Sequence, residues 1–271
     1  MPISGISQGL GLGVGAAATS SGAPGGDSGI PGEQDVIDLG PAAWWDASFA
    51  DSVTYVCAGD PEVCSVSKWT SREGNAAELV QASASEQPTF DAVNADFNGY
   101  STLRFTNSAA TVIQNSSVYI DGSGNVGTIF IVGKCGVTPV AAYRIANWGH
   151  ATTGNLGVNF DGGSFFVYKT LGASAWQEFP VGVTNQDLAL FMVGIHMNST
   201  SSYASSNEGT NVAFSANNTF LTPATGATGL GNIGGNTPDW DCAEYIIFDT
   251  ALSDGDFATV ETYLKNKYDG F

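Results

Sequence analysis

Three carboxylates crowd the stretch Asp239-Trp-Asp-Cys-Ala-Glu244, about thirty residues before the end of the 271-residue chain. Two chemistries use such residues. Glycoside hydrolysis needs a pair of carboxyl groups flanking the scissile bond. Calcium takes roughly six to eight oxygen ligands, carboxylates first among them. In an extended strand Asp239 and Asp241 fall on one face, because successive side chains alternate. Glu244 falls on the opposite face if the strand is regular. An acidic loop entering a strand accounts for the same residues without chemistry, and that plainer reading is the expectation. No catalytic residue is assigned, and Asp239, Asp241 and Glu244 stand as candidate calcium ligands. Zinc is disfavoured: there is no Cys-x-x-Cys spacing, and His150 and His196 are the only histidines.

Sugar recognition uses other residues, namely exposed aromatic faces beside hydrogen-bonding side chains. Trp148 with the following Gly149-His150, Trp176 and Trp240 lie near turn signals and are the candidate glycan contacts, with packing as the alternative for each. His196 ends an apolar run and is expected to be solvated or satisfied, not catalytic.

Two motif look-alikes near the N-terminus are set aside. Gly9-Leu-Gly-Leu-Gly-Val-Gly15 has the glycines of a dinucleotide-binding loop, but no strand precedes it and no βαβ unit surrounds it. Gly26-Asp-Ser-Gly29 is similar to the nucleophile segment of trypsin-like proteases, whose histidine and aspartate lie upstream; here no histidine precedes Ser28.

The elements that must position these residues can be read from spacing. Cys242 to Phe248 is rich in β-branched and aromatic residues, as a half-buried strand should be. Ser253-Asp-Gly-Asp256 supplies an N-cap hydroxyl and first-turn carboxylates. Phe257, Val260, Leu264 and Tyr268 then recur at three- and four-residue steps, predicting an amphipathic helix with one apolar face. Lys265 and Lys267 fall in its last turn, beside the unsatisfied carbonyls. Such a helix must pack on a sheet.

Upstream, short extended segments are expected at 53–57, 66–70, 78–81, 88–90 and 101–105, with a turn at Asn98-Gly99. The runs 127–133 and 188–196 are the most continuously apolar and are placed centrally. Further strands are expected at 143–146, 156–160, 164–168, 201–204, 212–214 and 229–233. Many short strands with one convincing helix predict an all-β antiparallel sandwich. Residues 1–36 are Gly, Ala and Ser with scattered Pro, a composition that cannot offset its own ordering entropy. Ile3, Ile6, Leu10, Leu12 and Val14 within it are apolar and suit an extended anchoring arm that docks on a neighbouring subunit, the alternative being an inert leader. Residues 37–271 then form one domain.

The charge is lopsided, with 8 Lys plus Arg against 26 Asp plus Glu and a net charge of −18. Such a surface repels phosphates and excludes nucleic acid as a natural partner. No run approaches the roughly 18 apolar residues of a membrane span. The N-terminus lacks the basic and apolar regions of a secretory signal, so assembly in a cytoplasm is the expectation, the alternative being a signal already removed. Cys57 and Cys64 flank a turn-rich loop that a disulfide could clip, whereas Cys135 and Cys242 sit in apolar strands as buried thiols.

Several segments together resemble the concanavalin A-like lectin/glucanase superfamily in its laminin-G-like branch. They are Trp45-Asp-Ala-Ser48, Trp69-Thr-Ser-Arg-Glu-Gly-Asn75, Gln87-Pro-Thr-Phe90, Asn98-Gly with Leu103-Arg-Phe105, and Thr128-Ile-Phe-Ile-Val132. Ile233-Gly-Gly, Ala243-Glu-Tyr-Ile-Ile-Phe248 and Ala251-Leu-Ser-Asp254 follow in order, so the resemblance covers about residues 40–268. It implies a two-sheet antiparallel jelly-roll sandwich with one C-terminal helix and an extended N-terminal arm, used to bind glycans or protein surfaces. It implies core positions for Trp44, Trp45 and Trp69. Hydrolases of the superfamily carry a Glu-x-Asp-x-x-Glu run, which this sequence lacks, so a non-enzymatic protein is expected. Some laminin-G-like domains bind calcium at a sandwich rim, without a ligand set that transfers here. Such domains behind a Gly/Ser-rich arm are similar to tailed-bacteriophage virion proteins. That implies a capsid-decorating, fibre or spike protein that oligomerises, contacts other virion proteins and adheres to host-surface polysaccharide. A secreted carbohydrate-active enzyme or its binding module is the alternative.

Overall fold

The structure, a computed structural model, describes residues 29–49, 51–73, 77–115, 126–136, 143–150, 154–161, 164–170, 176–180, 190–198, 201–207, 211–214, 227–231 and 238–269. A short helix α1 (Glu33–Asp38) comes first, followed by β1 (Ala43–Asp46), β2 (Val53–Ala58), β3 (Val63–Thr70), β4 (Glu78–Val80), β5 (Thr89–Asp91) and β6 (Thr102–Phe105). Then come β7 (Val112–Asn115), β8 (Gly127–Cys135), β9 (Tyr143–His150), β10 (Gly154–Asp161), β11 (Ser164–Thr170) and β12 (Trp176–Pro180). The last strands are β13 (Leu190–Met197), β14 (Ser202–Ser206), β15 (Val212–Phe214), β16 (Ala227–Gly231) and β17 (Trp240–Phe248), closed by α2 (Asp254–Tyr268).

Every strand pairing is antiparallel, and the pairings join all the strands into one curled sheet instead of two separate ones. Two features explain the departure from a two-sheet expectation. One edge of β17 runs along β8, while its other edge is shared, with β6 on residues 240–242 and β1 on residues 244–247. Strand β16 pairs with β7 on one side and β9 on the other, so the ladder continues around the bend. The curl wraps an interior of Trp45, Trp69, Phe105, Ile131, Phe191 and Trp240 among others, all fully buried.

A second apolar layer lies outside the curl, where α2 covers β8, β13 and β17. Phe257, Val260, Leu264 and Tyr268 are all buried there, together with Tyr263. The Ser253 hydroxyl accepts from the Asp256 amide at 3.2 Å and donates to the Asp256 carboxylate at 2.7 Å, a reciprocal cap. Gly194 on β13 leaves room for the helix: a Cβ there would stand 2.5 Å from the Phe257 ring. His196 is buried, stacked on Tyr203 at 4.5 Å, and its Nε2–H donates to the Leu252 carbonyl at 2.9 Å.

Three local readings need correction. Helix α1 lies across the boundary expected at residue 36 and belongs to the folded body: Arg72 pairs with Glu33 at 2.6 Å, and Asn266 donates to the Pro31 carbonyl at 3.2 Å. Strands β1, β7 and β12 were not among the expected segments. Lys267 does not sit beside helix carbonyls; it is buried under the sheet side of α2. Cys57 and Cys64 are register partners on β2 and β3 and form a disulfide, while Cys135 and Cys242 are buried thiols. Among the described residues no helix is long and apolar enough to cross a membrane.

Candidate functional site

Two charged clusters meet on β17, and a bulge decides which residues enter each. The β8–β17 register runs Asp241↔Lys134, Cys242↔Gly133, then Glu244↔Val132, which leaves Ala243 as the extra residue. A one-residue slip reverses the faces of everything beyond it. Trp240 and Cys242 therefore point into the curl, whereas Asp241, Ala243 and Glu244 all lie toward its outer side. The regular alternation expected for this strand fails at that point.

The first cluster is open at its edge. Asp241 sits between two basic register partners, Arg104 on β6 and Lys134 on β8. Arg104 Nη1 donates to Asp241 Oδ2 at 3.2 Å, while Lys134 pairs with Asp96 at 2.7 Å. The Asp241 side chain is only 9% exposed. Burial raises its pKa; Arg104 opposes that, the nearby Asp91 and Asp96 add to it, and the result is about 6. Asp241 is thus a carboxyl that gains and loses its proton near neutrality, the property a general acid or base needs. Asp239 is engaged otherwise, its carboxylate accepting from the Asn107 amide at 2.8 Å and its carbonyl from Gly136 at 2.7 Å.

The raised pKa has a measurable consequence. Folding takes up a proton at Asp241 between its unfolded value, near 4, and about 6, so its contribution is most favourable below that window and declines as pH rises through it. In Asp241→Asn the residue no longer titrates. The stability difference between variant and wild type is expected to move in the variant's favour by about 1–3 kcal/mol from about pH 4 to about pH 7, read from urea melts. A difference that stays flat with pH would show that Asp241 titrates normally.

The second cluster is sealed. Asp46 on β1 and Glu244 on β17 are direct register partners, so two carboxylates face each other across the strand pair. Like charges in that position repel. Lys267 from α2 enters between them, with Nζ 2.6 Å from Asp46 Oδ2 and 2.8 Å from Glu244 Oε2. The Trp44 indole donates to Glu244 Oε1 at 2.6 Å and the Tyr268 hydroxyl to Oε2 at 2.7 Å. Arg72 approaches Asp46 Oδ2 at 3.4 Å while stacking over Trp44 and Phe49. Burial raises the Glu244 pKa, and the Asp46 charge adds to that against the pull of Lys267. Burial alone would lower Lys267, but Asp46 and Glu244 outweigh it and hold it above the ordinary lysine range.

The candidate ligands Asp239, Asp241 and Glu244 are therefore not one set: Asp241 pairs with Arg104, and Glu244 with Lys267. Among the described residues no three His, Cys, Asp or Glu side chains stand close enough to share a metal ion. Trp240 is fully buried and stacks on Phe105 at 4.9 Å, which removes it from the glycan candidates. Trp148 and His150 lie on β9 and Trp176 on β12. The register row from Trp148 runs through Leu156 and Lys169 to Gln177, one residue past Trp176. Ile3, Ile6, Leu10, Leu12 and Val14 lie outside the described residues. Sequence reasoning missed Asp46, Arg72 and Lys267, which no linear spacing connects.

No family model matches the sequence, and no curated protein matches it. Solved structures share the fold. An arabinofuranosidase complexed with arabinofuranosyl-α-1,2-xylobiose superposes with a TM-score of 0.59 at 12% identity, over 86% of this chain and 65% of that one. A GH54 α-L-arabinofuranosidase soaked with a cyclic sulfate inhibitor gives 0.59 at 11% identity over the same shares. A Trypanosoma rangeli sialidase in complex with sialic acid gives 0.54 at 13% identity, over 82% of this chain and 32% of that one. The chain thus spans a little under two thirds of the arabinofuranosidases. These neighbours are carbohydrate-active β-proteins, and the likeness is one of fold. They overturn the expectation of a non-enzyme. That expectation rested on one missing carboxylate run, yet glycoside hydrolases are among the proteins with this curled sheet.

Proposed function

We propose that this chain engages carbohydrate through its curled sheet, as a jelly-roll domain displayed on a tailed-bacteriophage virion and directed at host-surface polysaccharide. The observation that carries the carbohydrate part is the likeness of the sheet, over 86% of the chain, to an arabinofuranosidase holding a branched xylobiose. The virion part rests on the Gly/Ala/Ser-rich arm and on the net charge of −18, and places other virion proteins and further copies of the chain as partners. Trp148 and His150 on β9 and Trp176 on β12 are the proposed sugar contacts.

Affinity electrophoresis against arabinose-substituted xylans, sialylated glycans and bacterial surface polysaccharides tests the reading. Retardation by at least one polysaccharide is expected, weakened about tenfold or more by Trp148→Ala, which corresponds to about 1.4 kcal/mol. No retardation by any member of the panel would overturn carbohydrate engagement. New reducing ends released by the wild type and not by Asp241→Asn would move the reading to hydrolysis, with Asp241 as its acid. Because α1 is packed on the folded body, the arm deletion should stop at residue 28. The shortened chain should keep its glycan binding and no longer join particles.

A further inference from the structure

The sealed cluster holds more than an ion pair requires. Lys267 is 2% exposed, Asp46 3% and Glu244 0%, so the three groups share a compartment shut off from solvent. Its walls are aromatic: the rings of Tyr100, Tyr263 and Tyr268 lie 5.2–5.7 Å from Nζ. The Asp46 carboxyl is held at both oxygens. Oδ1 accepts from the Ser48 amide at 2.9 Å, and Oδ2 faces the amine at 2.6 Å. Glu244 reaches the same amine and is itself aimed by Trp44 and Tyr268. An amine, a clamped carboxyl and a third group able to carry a proton between them are the reactants and the catalyst of amide formation.

The geometry points to an intramolecular isopeptide bond between Lys267 Nζ and Asp46 Cγ, assisted by Glu244. The ion pair is the resting arrangement, and the neutral amine and acid are reached from it by a proton transfer over hydrogen-bond distance, which the low polarity of the compartment makes less costly than in water. Once the proton moves from Nζ to the carboxyl side, the nitrogen lone pair adds to Cγ and the C–N bond forms. The developing oxyanion on Oδ1 lies against the Ser48 N–H. Glu244 takes a proton from the nitrogen and delivers one to Oδ2, the Cγ–Oδ2 bond breaks, and water leaves. One amine and one carboxyl become one amide and one water, Glu244 is regenerated, and no oxidant or cofactor takes part. The bond would join residues 221 apart and fasten the closing helix to the first strand.

Peptide mapping of the reduced, denatured full-length protein tests this. Trypsin should yield a branched species in which residues 1–68 are joined to residues 266–271, lighter by one water than the two peptides together and uncleaved at Lys267. Glu244→Gln, which keeps the side-chain shape, should give a protein with a native circular dichroism spectrum and at least tenfold less of the branched species. Asp46→Asn should give the same product mass with loss of ammonia in place of water. A folded wild type whose digest contains residues 1–68 unjoined and is cut after Lys267 overturns the proposal. Undiminished branching in Glu244→Gln overturns the role of Glu244. If that variant does not fold, the wild-type digest alone decides whether the bond exists.

Discussion

Lys267→Met is expected to lower stability by about 3–5 kcal/mol, enough to consume a large share of a typical domain's margin. Methionine fills most of the lysine's space and keeps contact with Tyr263 and Tyr268, so the loss is electrostatic and not a cavity effect. What remains is Asp46 directly opposite Glu244 with no cation between them, in a site neither water nor ions can enter. Arg72, at 3.4 Å and already paired with Glu33, can compensate only Asp46. The pH dependence identifies the cause. A carboxyl whose folded pKa exceeds its unfolded one takes up a proton on folding, and Glu244 is already raised with the lysine present. Without Lys267 the rise grows. The variant's deficit should be smallest near about pH 4, where the unfolded carboxylates also begin to protonate, and should widen as pH rises toward neutrality. Urea melts at several pH values measure it, and a deficit independent of pH would show that packing and not charge holds α2 to the sheet. This charge argument applies to Lys267 as the ammonium; where it is joined to Asp46, Lys267→Met also removes a cross-link between residues 221 apart, a loss that does not vary with pH.

This cluster also marks where linear reading fails. The closing helix was legible because its signals are local: a cap at Ser253, carboxylates in the first turn, and four apolar residues at helical steps, all of which the structure buries or bonds. The central strands were legible for the same reason, as continuous apolar runs. The role of Lys267 was not. Its position in the last turn favours interaction with helix carbonyls, and contacts with Asp46, 221 positions away, and with Glu244 reverse that preference. The faces of β17 were misread because one bulged residue, Ala243, changes the phase, and nothing in Asp-Cys-Ala-Glu signals a bulge. Helix α1 is six residues long between glycines, too short for a periodic pattern, and forms through Glu33–Arg72 and packing on α2. For the candidate site, the acidic residues were visible in the sequence, while their partners Arg104 and Lys267 were not, because contacts across strands and from α2 onto the sheet depend on register and packing and not on spacing.

Gly231→Ala should be the most damaging small substitution in the sheet, with a loss above about 3 kcal/mol. Gly231 ends β16 with φ at +91°, a region that costs a residue with a Cβ about 1–2 kcal/mol. A Cβ at this place would also run into the Thr111 carbonyl oxygen and stand 2.7 Å from the Phe105 ring. The oxygen belongs to backbone, so relief requires β16 to move away from β7, where Gly231 is the register partner of Val112. That movement has leverage. Among the described pairings β16 is the strand that links β9 to β7, and through β9 the hairpins β10 to β12 join the rest of the sheet. Leu230, buried beside Ile113 and Ala146 in the register, would be displaced with it. A drop in Tm of roughly 6–12 °C is expected from a thermal melt, given about 2–4 °C per kcal/mol for a domain of this size. Gly99→Ala is the control: φ is +82° there, but nothing lies within 4 Å of the added carbon, so only the conformational cost applies. Equal losses in the two variants would mean that backbone strain alone sets the cost and that the close approach at Thr111 contributes nothing. A larger loss at Gly231 would locate the closure of the curl at the seam between β7 and β16.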